Sequence, residues 1–473
     1  MINKVSSKKI VIPIEIKVRE FLPKAYLAYK IVINSDFNVI IGAQRNYTNK
    51  LIYKNCILLD KNTKSKDRQV FAFHKDNYIA MLDEEGPISF QHKTIIKERY
   101  FLEDLESQID SFLFSGKNDL KKINFDKIKD KTYIVGHPKF DFLKSDLEVI
   151  FKKENNFIRN KFKKFVLVTG HYPSVSVRTT ENWISNVSKK ILGNKKYLDK
   201  HIKTKLKFNT FRKNNYKSLL NLTIKIAREN PDIIFVFRRH PMENEDFVKN
   251  KFADRPKNLK LIYKFSVTPW IYNCNFHLHS GCLSSLETIK LKKNLITYLP
   301  FYSKEFFNNY KNFNPFFTKE IECLKFFKNE KKMKKKFNYR GIENTLFNFS
   351  KVHSYKEILK VFKKKYNHIQ SEIIYKKIEK NNLTKMTRLY FKVGSYFKSI
   401  LNKVTLIRNI FTKFLPHLTD TKENKNLKLK SISQKEMRNT FNLFLKADKK
   451  KVKIIIKKLS QSTFYISKNK KHF

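Results

Sequence analysis

The chain is poor in the residues that build the common nucleotide and cofactor loops. Only 9 of its 473 residues are glycine, and neither a GxxxxGK[ST] segment nor a GxGxxG after the first strand-like run is present. Ordinary nucleoside-triphosphate and dinucleotide sites therefore lack support. The four cysteines, Cys56, Cys274, Cys282 and Cys323, show no paired spacing, which removes a disulfide framework and a thiolate metal cage and leaves reduced thiols. HExxH and GxSxG patterns are absent, so zinc-peptidase and nucleophile-elbow hydrolase chemistry have no carrier. No run of 18 uncharged apolar residues occurs and no secretory leader pattern opens the chain. The expected location is cytoplasmic, or peripheral on the inner face of the cytoplasmic membrane. Acidic residues are the minority, 42 against 100 Lys and Arg, for a formal charge of +58. Coding bias toward Lys, Asn, Ile and Phe explains part of this excess, and attraction to a polyanion is the other reading. An RNP-like aromatic strand is missing, so no specific nucleic acid is expected as a partner.

What is present is enough for globular cores, with 41% hydrophobic and 14% aromatic residues. The length predicts two domains and an appendage. Short apolar runs at Ile10–Ile14, Asn38–Ile41, Cys56–Leu59, Tyr78–Leu82, Ser111–Phe114 and Thr132–Val135 read as strands, with a helix over Pro23–Ile33. A second series follows: strands at Phe165–Thr169, Ile233–Phe237, Leu259–Tyr263, Asn275–Leu278 and Leu295–Leu299, and helices over Tyr216–Glu229, Val267–Tyr272 and Ser284–Lys292. Strands alternating with helices predict an α/β fold of two Rossmann-like doubly wound domains. Their expected bounds are 1–145 and 160–325, followed by a basic, Lys-rich, mostly helical C-terminal appendage over 326–473. Within it, 385–416 is read as an amphipathic helix. Met386, Leu389, Val393, Phe397 and Ile400 recur every three or four residues among Lys and Arg, without an acidic residue. Such a helix suits an anionic membrane surface, or packs on the protein body with its basic face solvated.

Candidate chemistry sits at expected strand ends, where ligands of open α/β sheets bind. Arg238-Arg239-His240-Pro241 follows a buried strand and is expected to expose guanidinium and imidazole groups suited to a phosphate. The other reading is a solvated turn, with Pro241 opening a helix. His279, Ser280 and Gly281 are expected in a loop leading to Ser284, Ser285 and Glu287. Small residues there permit close approach to main chain, and a helix start favours phosphate. Ser284 and Glu287 also fit a capping box. His277 and His279 are expected on opposite strand faces, hence a poor metal pair. In the first domain, Asp83-Glu84-Glu85-Gly86 is either a solvated turn or a general base. The loop with Glu15, Lys17, Arg19 and Glu20 is a second charged strand end on the acceptor side, or an ordinary βα loop.

Taken in order, Ile12–Glu20, Asp83–Gly86, Val135-Gly136-His137-Pro138-Lys139-Phe140-Asp141, Arg238–Glu243 and His279–Glu287 resemble the bacterial surface carbohydrate biosynthesis proteins, over about residues 10–315. That group is similar to GT-B glycosyltransferases, including CMP-Kdo and sialic-acid transferases, and to CDP-glycerol glycerophosphotransferases. The resemblance implies metal-independent transfer of a Kdo- or nonulosonate-type sugar, without a cofactor, from a CMP-activated donor to a lipopolysaccharide or capsule-like glycan. A nucleotide-activated sugar and a glycan or glycolipid acceptor would be the partners, with an anionic inner membrane surface contacted through 385–416. It further implies Glu84 or Glu85 as base, His240 at the donor phosphate, Ser284 and Ser285 as phosphate ligands, and Glu287 at the ribose. The alternatives are a CDP-glycerol-type polyol-phosphate transferase and a non-enzymatic polyanion binder.

Overall fold

The computed structural model describes residues 8–43, 51–61, 77–83, 87, 96, 109–121, 128–170, 198–240, 243, 245–313, 315–329, 339–350, 352–365, 372–375, 431–460 and 462–469. The strands are β1 (Lys9–Ile14), β2 (Asn38–Ala43), β3 (Leu51–Lys54), β4 (Cys56–Asp60), β5 (Tyr78–Leu82), β6 (Ser111–Phe114) and β7 (Thr132–Ile134). They continue with β8 (Phe165–Gly170), β9 (Ile234–Phe237), β10 (Leu259–Leu261), β11 (Phe276–Ser280), β12 (Asn294–Tyr298) and β13 (Phe316–Phe317). Last come β14 (Glu372–Tyr375), β15 (Ile454–Ser460) and β16 (Thr463–Lys468).

They form two large sheets, as the alternation of runs predicts. The first has the order β15-β16-β2-β1-β4-β5-β6-β7 and the second β10-β9-β8-β11-β12-β13, while β3 and β14 make a separate ribbon. From β2 to β7 the first sheet is parallel, and the second is parallel throughout. β1 and β4 are buried at every position, which is why they read as continuous apolar runs rather than alternating ones. Two Rossmann-like α/β units result. One apolar cluster joins them, with Ile12, Tyr26 and Phe142 of the first unit in the same core as Leu286 and Leu295 of the second.

The chain order fixes where a ligand can sit. β1 lies between β2 and β4, and β8 lies between β9 and β11. Each is a topological switch point, where successive crossovers leave in opposite directions and open a crevice beyond the strands' carboxyl ends.

Residues 431–469 return to the first unit, where β16 pairs antiparallel with β2 and β15 with β16. A side chain at Gly42 would run into the main chain of Ser462 and Thr463, so glycine is what lets this pairing close. The helix Gln434–Ala447 starts with Ser433, whose hydroxyl accepts from the N–H of Glu436 at 3.0 Å. It packs on the helix Lys17–Asn34, with Tyr26–Phe444 and Tyr29–Phe441 rings 5.3 and 6.2 Å apart. The stretch 385–416 lies outside the described residues. Among the described residues no helix is long and apolar enough to cross a membrane.

Candidate functional site: a cleft between two switch points

Both crevices open on one cavity of about 470 Å³. Glu15, Arg19, Leu22, Pro23 and Lys139 line it from the first unit. From the second come Thr169, Gly170, Arg212, Arg238, Arg239, His240, Thr268, Cys282, Ser284 and Glu287.

On the first unit's side the expected loop is instead the start of a helix, since Lys17–Asn34 begins two residues after Glu15. This divides the four charged residues. Glu15, ion-paired with Lys61, and Arg19 line the cavity. Lys17 reaches away, its Nζ 2.7 Å from Glu436 Oε2 and 2.9 Å from the Ser431 carbonyl. Glu20 is buried and accepts from the Glu15 N–H at 2.8 Å, Arg19 at 2.7 Å and Lys24 at 3.0 Å. Burial alone would raise its carboxyl, but Lys24 and Arg19 outweigh that and hold it below the usual range. Lys17 and Glu20 are therefore fold-holding groups rather than acceptor contacts. Asp83 is buried at the end of β5, while Glu84, Glu85 and Gly86 lie outside the described residues.

Lys139 is presented by a built turn. Gly136 has φ +80°, and a Cβ there would meet the Asn348 side chain at 2.5 Å. His137 Nδ1 accepts from the Lys139 N–H at 3.2 Å, and Pro138 starts the short helix Pro138–Phe142. Asp141 accepts from Asn348, the Ser354 N–H, the Ser354 hydroxyl and the Tyr355 N–H at 2.7–3.1 Å. From this turn Lys139 crosses the cleft and forms an ion pair with Glu287.

In the second unit, Arg238 and Arg239 are not the exposed cluster that the sequence suggests. Both are buried, because they flank the Tyr263 ring at 5.5 and 4.1 Å. Arg238 Nη2 donates to the Phe265 carbonyl, and its Nε has no partner among the described residues. Burial lowers this guanidinium to about 10, with Tyr263 and Glu287 opposing. Arg239 donates to the Glu243 carbonyl at 2.7 Å and to Glu245 Oε2 at 3.0 Å. His240 is half-buried at the cavity wall. Its N–H donates to Glu243 Oε2 at 3.0 Å, and the Glu243 N–H donates back to the His240 carbonyl at 3.0 Å. Burial pushes the Glu243 carboxyl up to about 8, against the pull of that His240 N–H. Pro241 lies outside the described residues.

The His279 segment differs most from expectation. β11 runs on through Ser280, so His279 and Ser280 are strand residues buried in the sheet, not loop residues at a ligand. His277 and His279, two apart, share one face with ring centroids 5.8 Å apart. The opposite-face expectation is corrected by the strand's period of two, which puts residues two apart on the same face. His277 lies 2.7 Å from Thr169 Oγ1 and 2.6 Å from Thr288 Oγ1. His279 lies 2.9 Å from Thr297 Oγ1 and accepts from the Cys282 N–H at 3.2 Å. Burial drives His277 down to about 3, and burial together with His277 holds His279 well below its usual value, so both are neutral braces. No cluster of three His, Cys, Asp or Glu suited to a metal occurs among the described residues.

Gly281, at φ +71°, turns the chain out of β11 into the helix Ser284–Lys290. The capping box is not formed, because Leu283 is the cap residue and makes no side-chain cap bond. Ser285 is fully buried and donates to the Cys282 carbonyl at 2.7 Å, away from the cavity. Its N–H and that of Leu286 are bonded to Cys282 and Leu283 carbonyls at 3.1 Å. What this helix start offers is the Ser284 hydroxyl, 3.1 Å from Thr169 Oγ1 and 3.0 Å from Cys282 Sγ, on the cavity wall. Glu287 lines the same wall and accepts from Thr268 Oγ1 at 3.0 Å.

Of the residues singled out in the sequence, Glu15, Arg19, Arg238, Arg239, His240, Ser284 and Glu287 line one cavity. The sequence reading gives no role to Lys139, Thr169, Arg212 or Thr268. Lys139 stood within the motif Val135–Asp141 and was the one with a visible signal. Arg212 lies in the part of the helix Leu198–Glu229 that is too Lys-rich to show an apolar period.

No protein-family model matches the sequence, and no curated protein matches it. Among solved structures the chain is similar to S. aureus MnaA in a co-structure with UDP, at 12% identity and TM-score 0.48, over 76% of this chain and 98% of that one. It is similar also to UDP-GlcNAc 2-epimerase from Neisseria meningitidis bound to UDP-GlcNAc, at 12% identity and TM-score 0.46, over 75% and 100%. The wall teichoic acid polymerase TagF gives 10% identity and TM-score 0.41, over 76% and 89%.

Proposed function

We propose that the protein is a GT-B-type glycosyltransferase that moves a sugar, of the Kdo or nonulosonate type, from a CMP-activated donor to a hydroxyl of a surface glycan. The observation that carries this reading is the meeting of two switch-point crevices in one cavity, cationic on the second unit's side and carrying Glu15 on the first. Such a cleft suits a nucleotide held by one unit and an acceptor presented by the other.

In this reading the donor phosphate lies against Arg238, the Ser284 hydroxyl and His240, and Glu287 accepts from the ribose. The acceptor oxygen attacks the anomeric carbon while the bond from that carbon to the phosphate oxygen breaks. CMP leaves with the electron pair, and the acceptor proton passes to a carboxylate of the first unit. Glu84 or Glu85 is the base that the motif resemblance implies. Preformed donors aimed at the leaving phosphate favour the transition state, where its charge is greatest. The stretch 385–416 would hold the enzyme at the cytoplasmic face of an anionic membrane, near a glycolipid acceptor.

The test is transfer from CMP-sugars to a glycan acceptor, followed by mass spectrometry. Product formation is expected to fall about 100-fold in His240→Ala and to be lost when Glu84 and Glu85 are both replaced by Ala. Normal transfer by these variants removes the site assignment. Turnover of CDP-glycerol in place of CMP-sugars replaces sugar transfer by polyol-phosphate transfer.

A further inference from the structure

Among the described residues Glu287 has no direct ion pair within the donor half of the cleft. Its side chain is only 2% exposed, and within its own unit Thr268 donates a hydroxyl hydrogen bond to it while Arg238 acts on it through its field without an ion-pair contact. Its counter-ion, Lys139, comes from the other unit. Ser284, the hydroxyl offered to a phosphate, lies three residues before Glu287, about 4.5 Å along the helix axis. A phosphate placed at Ser284 would therefore lie within the field of the Glu287 carboxylate. In a partly buried site such a repulsion is only weakly screened.

We propose that Lys139 is a positioning residue that makes the donor half accept an anionic ligand. By neutralising Glu287 from across the cleft, it cancels the repulsion between that carboxylate and a donor phosphate. Phosphate affinity thereby depends on the two units standing together. The inference rests on the donor site proposed above and adds to it a requirement for the first unit. The turn is constructed for the task. Gly136, the His137 ring and Asn348 fix the main chain on either side of Lys139, and four donors fix Asp141 two residues on.

The experiment measures cytidine and CMP affinities of the full-length chain by calorimetry and takes their ratio, which isolates the phosphate. In Lys139→Met the preference for CMP over cytidine is expected to fall about tenfold, and Lys139→Arg is expected to restore it. In Glu287→Gln, with the ammonium left and the carboxylate gone, the preference is expected to rise by about the same factor. A brace between units would shift the unliganded melting temperature of both variants without moving the ratio in opposite directions. If Lys139→Met does not fold, Glu287→Gln still decides. An unchanged ratio in the variants, with wild-type protein that binds CMP, overturns the inference alone. Wild-type protein that binds neither probe overturns the CMP donor site and the inference with it.

Discussion

Asn348 holds both main-chain groups of His137 from 211 residues away: Oδ1 accepts from the His137 N–H at 2.9 Å, and Nδ2 donates to its carbonyl at 3.0 Å. The same amide donates to Asp141 at 2.7 Å. A segment after the second unit thus shapes a turn of the first, and through it the position of Lys139. Replacing Asn348 by Leu leaves buried polar groups unpaired at a cost of roughly 1–3 kcal/mol each. Urea unfolding of Asn348→Leu should show a loss of about 3 kcal/mol or more, and loss of less than about 1 kcal/mol would mean that the clasp is not formed.

The return of the chain end to the first sheet predicts a second stability effect. Phe444 is fully buried against Tyr26 and Tyr29. Phe444→Ala should cost about 3–5 kcal/mol through the lost burial and the cavity left behind. A chain ending before residue 431 should leave β2 as an exposed edge and aggregate, read by light scattering. Monodisperse, fully stable truncated protein would contradict the sheet order.

Ser284 and Ser285 separate two readings of one motif. Ser284→Ala should weaken nucleotide binding about fivefold, the value of one hydrogen bond, with little change in stability. Ser285→Ala should do the reverse, costing about 1 kcal/mol of stability by removing one of the two hydrogen bonds to the Cys282 carbonyl and leaving affinity unchanged. Calorimetry and denaturation on the same pair of variants check this.

Glu243 makes the His240 segment sensitive to pH. Its carboxyl is raised to about 8 in the fold, from an ordinary 4.5, by burial that the His240 N–H offsets only in part. Between those values the folded state binds the extra proton, so stability falls as pH rises through the window, and the penalty is complete above about 8. Glu243→Gln, which keeps an acceptor for the His240 N–H, should remove that decline and be the more stable protein at pH 9. Parallel pH profiles for the two proteins would show that Glu243 titrates normally.

Much of this architecture is legible from local pattern. Parallel strands buried on both faces announce themselves as short apolar runs, and the strand ends then locate the Arg238 and Ser284 segments without any contact information. What escapes is nonlocal. β15 (Ile454–Ser460) lies in a Lys-rich stretch that gives no strand signal of its own, and it gains its place only by pairing with β16, which pairs with β2. The capping box fails because the cap position falls on Leu283, and Glu287 instead pairs with Lys139, 148 residues away in another unit. His279 is paired to both β8 and β12, and Ser280 is held in the strand by β8 alone. No local feature signals this.

The most direct test is titration of the full-length chain with CMP, CDP, UDP and GDP, scored by thermal shift and calorimetry. Saturable stabilisation by CMP, reduced in Arg238→Met and in Ser284→Ala, is the expected result. Stabilisation by UDP or GDP but not by CMP would contradict it.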